Sequence, residues 1–249
     1  MWLGLPRIVA QVGMLTWSVH PYSTDKVHSR GLHACRWDAT ISLLSRKSCV
    51  FPYSYFEAAL RYRDDQAWDH FSLCGCPQSL AVAAVQQAHL AAEKQRASAM
   101  RFVTFDDSLV GKIRQSLEAW CHVSSADAWL DEESMQHDFD RMHCSEAWRH
   151  GLLLYVYRIF EWEPGQSVPL EVVRHARTVT EHVFSCRDAG YLAKQAALPL
   201  FWAGCELTDQ GLRSKIADFC AFCCWASIID KWHAFGQAEG SLAETFCFG

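Results

Sequence analysis

Apolar residues that recur every three or four positions are the feature of this chain that most constrains its fold. From Asp38 onward this spacing places apolar side chains along one side of each segment if the segment is helical. The repeating positions include Ile41 and Leu44, Phe56 and Leu60, Leu80, Ala83, Ala84 and Leu90, and Leu109, Ile113, Leu117 and Trp120. The alternation of apolar and polar residues that is typical of strands is nearly absent. The sequence therefore predicts an all-α fold, a bundle or irregular array of about eight to ten helices without a fixed repeat.

The composition is that of an ordered protein. Half of the 249 residues are apolar and 13% are aromatic, which is unlike a disordered activation segment. The net charge of -5 lacks the basic excess of most nucleic-acid-binding proteins, so direct DNA binding by this chain is not expected. The 12 Cys are spread along the chain, which favours buried thiols in a reducing compartment over a disulfide framework.

Neither a membrane span nor a secretion signal is expected. No apolar run reaches the roughly 18 to 20 residues that a membrane-spanning helix needs. Pro6 and Arg7 interrupt the apolar beginning of the chain, and this argues against a signal peptide. These features indicate a soluble intracellular protein.

Capping residues and helix breakers predict several helix boundaries. Asp106, Asp107 and Ser108 are expected to cap a helix that continues from Leu109. Ser145 with Glu146 predicts the start of the next strong helix, and Pro164 with Gly165 predicts its exit. The acidic stretch 124–140 is then expected to be an exposed connection.

Later boundaries follow from the same signals. Pro169 predicts a helix start, Thr208 with Asp209 predicts another, and a last long helix is expected over about residues 221–238. Residues 1–36 show no sustained period, so they are interpreted as a poorly defined N-terminal segment. Residues 37–249 are expected to form one helical domain.

The run 197–206 combines a Pro, a pair of small residues and one acid in an apolar segment. A helix that contains Pro199 must bend or begin there, because Pro lacks a backbone donor. Ala203 and Gly204 leave room for another helix to approach closely.

Three stretches in this order carry a resemblance to a known family. They are FSLCGCPQ at 71–78, which leads into a helix predicted over 79–90, AWRHGLLLYVYRIF at 147–160, and ALPLFWAGCE at 197–206. Together they resemble, over about residues 50–230, the fungal-specific transcription factor regulatory domain that follows a zinc binuclear cluster in many fungal activators.

The resemblance implies a helical, non-catalytic, nuclear domain that regulates transcription through protein partners or self-association, with room for a small-molecule effector. In that family a cluster of closely spaced Cys among basic residues binds zinc and contacts DNA. The chain lacks this cluster, because Cys35, Cys49, Cys74 and Cys76 are widely and irregularly spaced. We therefore expect a piece of a longer regulator, a gene model that begins late, or a stand-alone regulatory domain. No catalytic, cofactor-binding or metal-binding residue is assigned, and no cofactor is expected.

An enzyme is the main alternative function. Asp64, Asp65 and Asp69 form an acidic cluster, and Asp65 and Asp69 would share a helix face. Such a cluster can hold magnesium against a prenyl diphosphate, as in class I terpene synthases. The second metal motif of those enzymes is missing, which favours a solvated helix end. A non-catalytic helical scaffold is a third interpretation.

The cysteine motifs have structural interpretations that are simpler than chemical ones. Cys220, Cys223 and Cys224 with His233 could ligate zinc, but their helical spacing favours small core residues. The turn Cys74-Gly75-Cys76-Pro77 is more readily interpreted as the start of a helix than as a redox motif, because no thioredoxin-like context surrounds it.

Two Arg and one His on the 147–160 helix are the remaining candidate site residues. They are Arg149, His150 and Arg158, and Arg158 is expected to bind a ligand carboxylate or, preferably, the C-terminus of a neighbouring helix. Glu206 is expected to form a structural ion pair with an Arg such as Arg158 or Arg213.

Overall fold

The computed structural model describes residues 43, 49–55, 57, 76–124, 131–163, 166–187 and 195–222. These residues include six α-helices and one π-helical turn whose bounds are defined, together with helical residues at 43, 53–55, 57 and 195, and no strand occurs among them. The all-α prediction is confirmed. The seven helical elements of the described residues are fewer than the eight to ten predicted for the whole chain.

One helix lies at the centre of the structure. The elements are α1 (Gln78–Ser98), α2 (Ser108–Ala119), α3 (Glu132–Val156) continued by the π turn (Tyr157–Glu161), α4 (Leu170–Ser185), α5 (Ala197–Glu206) and α6 (Gln210–Phe222). Helix α3 contacts α1, α2, α4 and α5, while α5 also contacts α4 and α6. A single apolar core joins all six helices, with Leu152, Val179 and Leu200 fully buried inside it.

Local capping explains several helix starts, as predicted. The Ser108 amide donates to Asp106 Oδ1 at 3.0 Å before α2, and the Leu212 amide donates to Asp209 Oδ1 at 2.7 Å before α6. Helix α4 begins directly after Pro169, and the π turn ends at Glu161, shortly before the predicted exit. Helix α1 begins directly after Pro77, although residues 71–75 of the predicted turn lie outside the described residues.

The predicted helix start at Ser145 is wrong. Helix α3 begins at Glu132, and the carboxylate of Asp131 caps it by accepting the Ser134 amide at 2.7 Å. Ser145 is buried inside the helix, where its hydroxyl donates to the Arg141 carbonyl at 2.7 Å. A serine can bond to the backbone both at a helix end and inside a helix. The predicted connection 124–140 is therefore helical from residue 132 onward.

The predicted apolar face of α2 is wrong at its first position. Val110, Ile113 and Leu117 face the core, whereas Leu109 is 50% exposed. The buried face thus starts one residue later than the repeating spacing suggests. Trp120 follows this helix, and its indole N–H donates to Ser79 Oγ at 2.9 Å.

The Pro of the 197–206 run lies in the first turn of α5, so of the two predicted alternatives, a bend or a helix start, the helix start occurs. A first-turn Pro removes no intrahelical hydrogen bond. Ala203 and Gly204 are buried, and a very close approach occurs at Pro199 itself. A Cβ atom added to Gly151 of α3 would lie 2.7 Å from the Pro199 Cβ. Gly151 therefore permits α3 and α5 to pack closely.

None of the helices in the described ranges is both long enough and apolar enough to cross a membrane.

Candidate functional site

A buried ion pair joins the π turn to the last residue of α5. Arg158 Nε donates to Glu206 Oε1 at 2.6 Å, and Arg158 Nη2 donates to Glu206 Oε2 at 2.5 Å. The two side chains are only 7% and 3% exposed. The structural ion pair predicted for Glu206 is thus confirmed, with Arg158 as its partner. The geometry is the bidentate arrangement in which a guanidinium binds a carboxylate most strongly.

Aromatic rings enclose this ion pair. The guanidinium carbon of Arg158 lies 4.9 Å from the centre of the Trp162 ring and 5.9 Å from that of Tyr157. Such cation–π contacts suit an Arg that is removed from water. Burial raises the pKa of Tyr157, although the positive charge of Arg158 acts in the opposite direction. The ion pair is therefore buried, and the carboxylate of Glu206 is already bound to a cation.

A lysine of α1 caps the end of the π turn. Lys94 Nζ donates to the carbonyls of Ile159 and Phe160 at 2.7 and 3.2 Å. Carbonyls at a helix end lack intrahelical donors and attract positive charge. Lys94 consequently links α1 to the same segment that carries Arg158.

Four histidines form a second polar cluster between α3 and α4. His143 Nδ1 lies 2.8 Å from His182 Nδ1, and His150 Nδ1 lies 2.6 Å from His175 Nδ1. The two histidines of each helix are seven residues apart, so they share a helix face. Because α3 and α4 run in opposite directions, the two helices place these residues opposite each other. We call these four residues the histidine ladder.

Arg149 extends the histidine ladder. Its Nη2 lies 2.8 Å from His150 Nε2, and its Nε donates to Glu146 Oε2 at 2.7 Å. Burial is the main cause that lowers the pKa of all four histidines. The pKa of His150 falls to about 3, and the adjacent Arg149 charge adds to the effect of burial. The ladder is therefore a neutral polar network at neutral pH.

Only part of this network is among the residues predicted from the sequence. Arg149 and His150 are predicted candidates, whereas His143, His175 and His182 are not. The signal that could have found them is the seven-residue spacing of His143 and His150, repeated by His175 and His182. The wrong helix start at Ser145 concealed it, because that start places His143 outside the helix of His150.

A groove of about 600 Å³ lies between α1 and α2. Neutral side chains line it, namely Gln78, Ser79, Val82, Ala83, Gln86, Ile113 and Ser116. Its size falls in the range of small-molecule sites. The small-molecule effector implied by the resemblance stays a prediction.

Most residues of the chemical alternatives lie outside the described residues. This holds for Asp64, Asp65 and Asp69, and likewise for Cys74, Cys223, Cys224 and His233. Cys76 and Cys220 are described, and both are buried. Within the described ranges, no three or more His, Cys, Asp or Glu side chains are grouped so that they could hold a metal ion.

Comparison with known proteins identifies the family. The model of the fungal-specific transcription factor domain matches residues 25–226, which is most of the chain and includes all six described helices. The match begins earlier than the resemblance carried by the three motifs. No curated protein and no solved structure matches the chain. The chain therefore belongs to the fungal-specific transcription factor domain family.

Proposed function

We propose that this chain is the regulatory domain of a transcription regulator and that it acts in the nucleus through contacts with proteins, without catalysis. The family match over residues 25–226 is the observation that carries the proposal, because membership indicates a role of the transcription-regulator type. The proposal includes contacts with partner proteins or with a second copy of the chain.

The buried polar side chains bind one another, and this supports a regulatory rather than a catalytic role. The buried carboxylate of Glu206 binds Arg158, and the histidines of the ladder bind each other. These groups connect helices that are distant in the sequence. We infer that they hold a fixed helical scaffold, whose surface contacts other components of the transcription apparatus.

A tethering experiment tests the proposal. The full chain is fused to an unrelated DNA-binding domain and placed upstream of a reporter gene in a fungal cell. We expect the transcript level to change several-fold relative to the DNA-binding domain alone. An unchanged transcript level, with the fusion present in the nucleus, would argue against a regulatory role.

Two glycine variants show whether the effect needs the folded domain. Gly151→Leu forces a large side chain against Pro199, whereas Gly111→Ala adds a methyl group where no atom lies within 4 Å. We expect Gly151→Leu to abolish the change in transcript level and Gly111→Ala to retain it, at protein amounts matched by immunoblot. An equal effect of the chain with and without Gly151→Leu would indicate a segment that works unfolded.

A further inference from the structure

The histidine ladder occupies the interface between α3 and α4, and its response to acid can be measured without an assay of the proposed function. We propose that this interface is acid-sensitive: the two helices are joined through neutral imidazoles, and mild acid weakens the contact between them.

The proton requirements of the ladder follow from its distances. A hydrogen bond between two Nδ1 atoms needs one N–H group and one lone pair. The 2.6 Å and 2.8 Å separations leave no room for two opposing N–H groups. Each pair therefore breaks when both of its rings are protonated.

Arg149 makes the requirement stricter for the pair of His150 and His175. A guanidinium has donors only, so His150 Nε2 must accept from Arg149 Nη2 at 2.8 Å. His150 then carries its proton on Nδ1 and donates it to His175 Nδ1. Both nitrogens of His150 and the Nδ1 lone pair of His175 therefore take part in hydrogen bonds. A further proton on His150 Nε2 or on His175 Nδ1 occupies the accepting lone pair and removes one of these hydrogen bonds.

Charged groups of three helices act on the ladder, and they have opposing effects. Carboxylates favour protonated histidines and cations disfavour them. The groups concerned are Asp140, Glu146 and Arg149 of α3, Glu171, Arg174 and Glu181 of α4, and Glu118 of α2. Glu146 Oε2 is 3.8 Å from His150 Nε2 but only 2.7 Å from Arg149 Nε, so its charge is largely directed at the arginine.

The direction of the pH effect follows from the protons bound in each state. Histidines of an unfolded chain are protonated below a pH of about 6.5. In the folded chain the pKa of all four is lowered, so below pH 6.5 the unfolded state binds more protons. The stability contributed by the neutral ladder is complete above pH 6.5. It is lost as the pH falls from there toward the folded-state pKa of about 3 for His150.

The experiment measures the folding equilibrium of the full chain by urea unfolding at pH 7 and pH 5. EDTA is present throughout, so that release of an adventitious metal cannot produce the pH dependence. From His150 alone we expect the folding equilibrium constant to fall roughly 20-fold between these pH values, and the other three histidines add to this.

Two matched variants assign the effect to the ladder. His150→Gln keeps a neutral hydrogen-bonding side chain at every pH. It should remove most of the roughly 20-fold fall in the folding equilibrium constant that is expected from His150 between pH 7 and pH 5. His137→Gln changes an exposed histidine of the same helix. In this variant the folding equilibrium constant should fall between pH 7 and pH 5 as much as in the unsubstituted chain. Equal stability at pH 7 and pH 5, or the same loss in both variants, would overturn the proposal.

A spectroscopic measurement covers the case in which His150→Gln does not fold. Nitrogen-15 NMR of the imidazoles in the unsubstituted chain reports which nitrogen carries the proton. We expect His150 to be protonated on Nδ1 alone at pH 7 and to remain neutral at pH 5 while the chain is folded. A His150 that is protonated on Nε2 at pH 7, or doubly protonated in the folded chain at pH 5, would contradict the proposed arrangement.

Discussion

Buried charges are the single residues whose substitution is expected to have the largest effect. Removing one member of a buried ion pair leaves the other charge without its partner in a dry environment. The Arg158–Glu206 pair is in this situation, because its side chains are 7% and 3% exposed. The pair therefore matters for stability mainly because removing either member leaves a buried charge without its partner.

We predict that Glu206→Leu lowers the free energy of unfolding by about 3 to 5 kcal/mol, because it leaves the Arg158 guanidinium buried without its carboxylate. The double variant Arg158→Met with Glu206→Leu should lose less, since no charge is then left alone. Urea unfolding at neutral pH measures both. A double variant as unstable as Glu206→Leu would show that packing, rather than charge, dominates this site.

An exposed ion pair with a similar distance between nitrogen and oxygen provides the control for the effect of burial. Arg114 Nη1 lies 2.7 Å from Glu161 Oε1, but the side chains are 48% and 35% exposed. Arg114→Met should change the free energy of unfolding by less than about 1 kcal/mol, because water and mobile ions screen this pair.

The sequence predicts that Glu206 forms an ion pair, but it does not determine which residue is the partner. A single acid in the apolar 197–206 run requires a cation, and both Arg158 and Arg213 are candidates. The position of Arg158 relative to Glu206 depends on the π turn, whose Trp162 amide donates to the Tyr157 carbonyl at 2.8 Å. No local motif of the sequence indicates this widened turn, so the choice of Arg158 required the structure.

At the scale of helices, the contact between α3 and α5 depends on the absence of one Cβ atom. We predict that Gly151→Ala destabilises the protein by about 1 to 3 kcal/mol, because the new methyl group collides with Pro199. This loss should occur although Ala favours a helix by about 1 kcal/mol relative to Gly. Thermal and urea unfolding measure the difference.

The same substitution at Gly111 separates the collision from the helix preference. Gly111 lies in α2, and no atom is within 4 Å of the position of an added Cβ. Gly111→Ala should therefore leave stability unchanged or raise it by up to about 1 kcal/mol. Equal effects of the two substitutions would show that α3 and α5 can move apart at little cost.

Helix boundaries were predictable where a single local interaction determines them. Asp106, Pro169 and Asp209 act within three residues of the helices that they precede, so the sequence shows them directly. The helix start predicted at Ser145 is wrong because the sequence does not distinguish an N-cap serine from an interior one. Only the Asp131 cap, placed fourteen residues earlier in the chain, distinguishes the two.

At the scale of the whole molecule, the net charge of -5 predicts what the chain does not bind by itself. Proteins that bind DNA neutralise phosphates with lysine and arginine. We predict that the purified chain leaves the fluorescence anisotropy of labelled duplex DNA unchanged at about 50 mM salt. An anisotropy increase that weakens steeply with added salt would contradict this and would indicate a local basic surface.

The arrangement of helices around α3 could not be predicted from the sequence, although the fold class and family could. Three ordered motifs suffice to indicate a family, because each is a continuous stretch of chain. The histidine ladder and the Gly151–Pro199 contact join residues 25 to 48 positions apart. Periodicity shows that a helix has a buried face but not which helix covers it.

The packing of α1 on α3 also affects how the protein is made. Lys94 and Gln87 of α1 each donate to a carbonyl that lies 65 residues later in the chain. At the usual synthesis rate of about 5 to 20 residues per second, α1 leaves the ribosome several seconds before this partner surface exists. During that interval its alanine-rich buried face is uncovered, and nascent-chain chaperones have time to bind it.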